Sequence, residues 1–245
     1  MISRGAFGSR QISVIGLACL LLVVPVRAEH ESLPSDYPNS LERELASLLS
    51  QLATQGPNVD RLLSGAELYL NIADDLFDEE TRKRLAYEAG AEMAKRALHM
   101  DERNAQAHFL YAATLGSAER LKEIANAGLV LGEIKQHVRR AIELDPTHAQ
   151  ALQMMGGLYA ELPWLLGGNE KQAELHLQRA IQTDGRYTNA HLILARLLIK
   201  LNRHSEARTH LQAVLHVEHP HCPYAWKRTF RPEAERLLEA ISPTK

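Results

Sequence analysis

The densest run of reactive side chains is His216, His219, His221 and Cys222. Imidazole and thiolate are ligands that zinc or copper accepts. Pro220 and Pro223 interrupt the run and place it in a loop. Its spacing matches no standard zinc frame, and no second ligand cluster accompanies it. The sequence therefore assigns no metal site and no cofactor, with a metal-binding protein using residues 216–222 as an alternative. Cys222 alone reads as a small buried apolar residue rather than a nucleophile. GxSxG, HExxH, P-loop and GxGxxG motifs are absent, so no catalytic residue is assigned and no enzyme is expected. Arg82-Lys83-Arg84 and Arg139-Arg140 are short charge runs that read as solvated faces. The formal net charge of −2 lacks the basic balance that a nucleic-acid partner asks for.

Function must then lie in a surface, and the elements that build it are helices. Hydrophobic content is 45% and aromatic content 5%, with abundant Ala and Leu. That composition suits tightly packed helices rather than sheets. Ala97, Ala141, Ala180 and Val214 recur at one late helix position, with spacings of 44, 39 and 34 residues. The last spacing equals the tetratricopeptide period, and the others fit it with inserts between the two helices of a unit. Asp101, Asp145-Pro146, Asp184-Gly185 and Pro220 close successive units. The reading is an all-α, tetratricopeptide-repeat helical-hairpin solenoid. Its repeats cover about 60–103, 104–146, 147–185 and 186–219, and a capping helix covers about 231–241. Ser40 is expected to cap a first helix, and Asn169 with Gln172 to cap a later one. Gly156 and Ala112 fall where the two helices of a unit cross closely, so larger side chains should clash there.

Residues 1–28 read as a cleavable export signal. Arg4 and Arg10 precede an apolar run, Ile12–Val24, and Val26 and Ala28 give a small-residue cleavage pattern. Cleavage removes three arginines and no acid, leaving a mildly acidic chain with Cys222 as its sole cysteine. Residues 29–39 read as a flexible linker and 40–245 as one helical-repeat domain. The location expected is periplasmic. Cys19 sits inside the apolar run rather than at its end, so lipoprotein anchoring is not expected.

Two inserts interrupt the repeats. Gly116–Leu131 is expected to lengthen the second-helix side of its unit and wall off one side of the groove. Leu162-Pro163-Trp164-Leu165-Leu166-Gly167-Gly168 puts four large apolar residues in a loop, with two glycines permitting positive φ. Trp164 then either plugs the gap between repeats or lines a ligand cavity or interface. The register aims Gln106, Phe109 and Ala113, then Gln150, Gln153 and Gly157, then Asn189, Leu192 and Arg196 at the concave face. Only Arg196 could clamp a carboxylate, so the groove suits a neutral or partly apolar ligand or a protein helix. Alternatively, the chain's own C-terminal helix fills it.

The run IANAGLVLGEIKQHVRRAIELDPTHAQAL, the pair Gly156-Gly157 with Leu158-Tyr159, and LPW followed by GG resemble the T-component family of TRAP-transporter-associated proteins. The related regulator of microtubule dynamics family shares the pattern. The resemblance covers about 60–242 and implies an all-helical array with a pore or cleft. It also implies a periplasmic solute-binding protein as partner and an apolar small molecule as ligand. Bacterial members are typically lipoproteins, and this chain departs from them in lacking the lipidation cysteine. The expectation is an exported protein-binding module, accessory to a solute-binding or transport system. Its rivals are a structural envelope-assembly scaffold without ligand and the metal-binding protein using residues 216–222; the sequence is open on self-association.

Overall fold

A computed structural model describes residues 33–122 and 127–242, without the side chains of 127–129. The expected export segment, 1–28, lies outside the described residues. Among the described residues no helix is long and apolar enough to cross a membrane, and no strand occurs.

Helix α1 (Ser40–Gln55) precedes four antiparallel helix pairs. These are α2 (Val59–Asn71) with α3 (Glu80–Met100), α4 (Ala105–Arg120) with α5 (Ala127–Leu144), α6 (Ala149–Glu161) with α7 (Glu170–Thr183), and α8 (Thr188–Lys200) with α9 (His204–His216). A short α10 (Pro223–Ala225) runs through a π turn, Trp226–Phe230, into α11 (Arg231–Ala240). This is a tetratricopeptide-repeat solenoid closed at its C-terminal end by α11. Caps set the helix starts. Asn58 accepts from Arg61 N, Asn104 from Ala107 N, His148 from Ala151 N and Asn169 from Gln172 N. Each satisfies an amide that the first helical turn leaves unpaired.

Small residues at the crossings let the helices close. Ala97, Ala112, Ala141, Ala180, Ala195 and Ala207 are each 0% exposed. At Gly156 a Cβ would sit 2.6 Å from Leu177 Cγ, so α6 and α7 meet where only glycine fits. The last pair is covered by α11, whose Ala234 packs with Leu192, Ala195, Leu211 and Val214.

Three local expectations change. Ser40 lies inside α1 rather than capping it, and its buried Oγ has no hydrogen-bond partner among the described residues. Residues 35–39, expected to be a free linker, form turns, and Tyr37 OH donates to Asp75. The Gly116–Leu131 insert does not lengthen only the second helix, because α4 itself runs on to Arg120.

Candidate functional site

The seven-residue insert after α6 is a built loop. Leu162 N still bonds Leu158 O, while Gly167 N donates to Trp164 O and Gly168 N to Pro163 O. Asn169 N returns to Tyr159 O, and Lys135 Nζ on α5 donates to Leu166 O at 2.6 Å. Gly167 takes φ +86°, the left-handed conformation glycine favours. Gly168 is needed for a different reason: its Cβ would lie 1.8 Å from Leu162 O. Only one of the two glycines thus serves a positive φ.

This loop separates its apolar side chains. Leu162 and Leu166 line a cavity of about 460 Å³. Its other walls are Ala113 and Gly116 on α4, Val130 and Ile134 on α5, and Met154 and Leu158 on α6. Glu119 and Arg120 supply a polar edge. The size and the apolar lining suit a small hydrophobic molecule. Trp164 and Leu165 point the other way, at 79% and 74% exposure. Trp164 therefore neither plugs the repeats nor lines the cavity; the short 3₁₀ turn Trp164–Leu166 carries its side chain into solvent.

The remaining residues expected on the concave face do not form one open groove. Ala113 joins the cavity wall. His148 Nδ1 accepts from Ala151 N, so its Nε2–H donates to Gln106 Oε1 at 2.8 Å and ties α4 to the start of α6. Phe109 is buried, with its ring 5.2 Å from that of His148. Gln150, Gln153, Gly157 and Asn189 are half-buried. Leu192 is 0% exposed, because α11 covers it. Arg196 is held by α11: its Nε and Nη2 donate to Glu233 at 2.8 and 2.6 Å. Arg196, the one groove side chain able to bind a carboxylate, is thus occupied by the chain's own carboxylate. Further along, His221 N bonds Arg186 O, Tyr224 meets Tyr37, and Arg228 Nη2 reaches Asp78 at 3.1 Å. Residues 221–228 thereby link the last repeat to the turn between α2 and α3.

Comparison with known proteins agrees with this architecture. The model of the family described as "Regulator of microtubule dynamics protein 1-3" matches residues 29–165, more than half of the chain. The chain belongs to the regulator of microtubule dynamics protein 1–3 family. A tetratricopeptide-repeat model matches 165–227, so the two matches meet within the insert. Regulator of microtubule dynamics protein 1 of Bos taurus is 34% identical over 172 residues, which is 62% of this chain and 49% of that protein. The Homo sapiens protein of the same name is 43% identical over 93 residues, 35% of this chain and 28% of that one. This chain thus spans about half the length, or less, of these relatives. A thermophilic tetratricopeptide-repeat protein of Thermus thermophilus shares the fold, with a TM-score of 0.59, 15% identity, and coverage of 83% of this chain and 91% of that one.

In this regulator of microtubule dynamics family member the 216–222 cluster is dispersed. His216 Nδ1 binds Gln212 O of its own helix, and His221 stacks on Tyr187 with ring centroids 4.1 Å apart. Among the described residues no three His, Cys, Asp or Glu side chains converge to hold a metal. Cys222 is exposed rather than buried. Although the residue is solvent-accessible, the protein packed around its sulfur, with Asp75, Asp74 and Glu67 adding repulsion, pushes the thiol up to about 11. A thiol held that high is a poor nucleophile at neutral pH.

The histidines that do pair were not singled out by the sequence. His108 Nδ1 lies 2.9 Å from His137 Nδ1, and His191 Nδ1 lies 3.0 Å from His210 Nδ1. A signal existed: His137, His176 and His210 each stand four residues before Ala141, Ala180 and Val214. One repeat position therefore carries histidine three times.

Proposed function

We propose that this chain is a non-enzymatic partner-binding module that holds an apolar small molecule in the α4–α5–α6 cavity. The observation that carries the reading is the division of the insert. Leu162 and Leu166 line the cavity, while Trp164 and Leu165 stand exposed beside it. A bonded loop that keeps a Trp-Leu pair in water makes sense where another surface covers it. The repeat fold supplies the partner-binding role, and membership of the family supports it. Arg4, Arg10, the run Ile12–Val24 and Ala28 support export to a periplasm. In that compartment the partner would be a solute-binding protein of a transport system, as in the T-component family. The relatives' printed role in microtubule dynamics is instead a role for a cytoskeletal compartment, which those residues argue against.

The test is a titration with the apolar fluorophore N-phenyl-1-naphthylamine. Wild type should show saturable uptake, and Leu158→Arg should weaken it at least ~10-fold, since an unpaired charge is costly in an apolar cavity. Trp164→Ala with Leu165→Ala should leave uptake unchanged. Unsaturable uptake, or equal uptake by a folded Leu158→Arg protein, would refute the ligand reading and favour the scaffold.

A further inference from the structure

The two histidine pairs occupy corresponding places in two repeats. His108 and His191 each lie four residues after a helix N-cap, Asn104 and Tyr187. Their partners lie on the second helix of the same hairpin. In both pairs the two Nδ1 atoms face each other across the α4–α5 or α8–α9 contact. The ring centroids are 4.9 and 5.2 Å apart, and the interplanar angles are 43° and 45°. Two repeats have thus arrived at one geometry.

The protons can be placed. His108 Nε2 sits 2.9 Å from the carbonyl oxygen of Glu102. A carbonyl only accepts, so that nitrogen carries hydrogen and the neutral ring's Nδ1 is a lone pair. His137 Nδ1–H must then be the donor between the rings. His191 likewise bonds the backbone of Gly185 and faces His210 with Nδ1. The second-helix histidine of each pair has carboxylates near it: Glu133 for His137, and Glu206 and Glu174 for His210. Glu133 also accepts from Tyr111 OH, and Arg203 binds both Glu174 and Glu206. Glu102, Arg139, Arg140 and Glu143 stand around the first pair.

One proton added to a neutral pair can reside on the second-helix ring's Nε2, leaving the Nδ1–H···Nδ1 bond intact. A second proton can enter only at the bridging lone pair. Two N–H donors and two positive charges would then face each other at 3 Å spacing, inside the hairpin. The middle repeat lacks this arrangement. There Leu152 takes the first-helix place, and His176 Nδ1 binds Gln172 O beside Tyr159.

We propose that His108–His137 and His191–His210 form two matched acid-sensitive latches, which hold α4 to α5 and α8 to α9 while each pair bears at most one positive charge and release when it bears two. This holds whether or not the cavity carries a ligand. Burial and the neighbouring His210 push His191 down to about 4 from an ordinary 6.5. Burial also lowers His210, and burial together with His108 lowers His137. A depressed histidine adds nothing to stability above the unfolded value and costs stability as pH falls below it. The sensitive window is therefore from about pH 6.5 down to about 4. At pH 5 the His191 shift alone corresponds to a roughly 30-fold loss in the folding equilibrium.

The test compares urea unfolding at pH 7.5 and 5.0 for wild type, for His137→Asn with His210→Asn, and for His176→Asn. An asparagine amide can donate to a neutral ring or turn its oxygen to accept from a charged one, so it removes the conflict. Wild type and His176→Asn should lose at least ~30-fold in folding constant at pH 5.0, and the double variant should lose several-fold less. Equal acid loss in the double variant and wild type would overturn the proposal. Should the double variant not fold, long-range ¹H–¹⁵N spectra of wild-type imidazoles give a second reading. One ring of each pair should stay neutral at pH 5; all four rings charging independently near 6.5 would overturn it.

Discussion

Replacing Gly156 with alanine tests how closely the helices of a repeat pack. Alanine is worth about 1 kcal/mol more than glycine in an exposed helix interior. Against that gain, the new Cβ would lie 2.6 Å from Leu177 Cγ, 2.9 Å from Cδ2 and 3.1 Å from the Leu177 backbone N. Rotating the leucine relieves the first two contacts in part, but the backbone cannot rotate away. Helices α6 and α7 must separate, and overpacking of this kind costs up to about 3 kcal/mol. The net expectation for Gly156→Ala is a loss of about 2 kcal/mol, or roughly 4–8 °C in Tm for a domain of this size. Gly132, on α5, is the internal control, because nothing among the described residues lies within 4 Å of a Cβ built there. Gly132→Ala should raise Tm by roughly 2–4 °C from propensity alone. Thermal unfolding followed by circular dichroism at 222 nm measures both. A Gly156→Ala protein as stable as Gly132→Ala would show that the crossing has slack, and would refute the close-packing argument.

Two further substitutions probe features of the same structure. Ser40→Ala removes a buried hydroxyl that lacks a partner, and should raise stability by about 1 kcal/mol, read as a higher urea midpoint; a lower midpoint would mean that Ser40 Oγ is bonded after all. Gly168→Ala should reopen the insert, because Cβ would meet Leu162 O at 1.8 Å; limited proteolysis should then cleave within residues 162–168 faster than in wild type, and unchanged cleavage would contradict the bonded loop.

The scaffold was legible because its determinants are local and periodic. Ala141, Ala180 and Val214 repeat at one helix position, and all three are fully buried. Gly156 could be assigned to a crossing because a glycine at the place of Ala112 needs a packing reason. The Asn169 cap needed only the short link between its side chain and Gln172 N, and that bond forms at 3.1 Å. Ser40 failed as a cap because the chain before it is not free: Leu41 N bonds Pro38 O, so the turn winds directly into the helix. At Leu192 and Arg196 the alternative left open by the sequence, a groove filled by the chain's own C-terminal helix, is the one that forms: both face the side on which α11 docks, and the repeat register alone does not decide between that helix and an open groove.

Trp164 shows why the candidate site resisted reading. A tryptophan in an apolar loop is expected to be buried, since burial of its large surface is favourable. Its actual direction depends on the backbone of the turn, which rests on two glycines used differently and on a lysine from another repeat. None of those dependences has a period. The histidine pairs are the opposite case: their second-helix members do recur with the repeat, yet repeat position alone cannot say which recurrence matters. His176 shares the position of His137 and His210, but it faces Tyr159 rather than a second imidazole. What distinguishes the paired sites is the residue four places after the N-cap, histidine at 108 and 191 and leucine at 152. A two-position rule, histidine at both places of one hairpin, therefore separates a facing imidazole pair from a histidine such as His176 that bonds its own helix, and it can be read from sequence once the hairpin register is known.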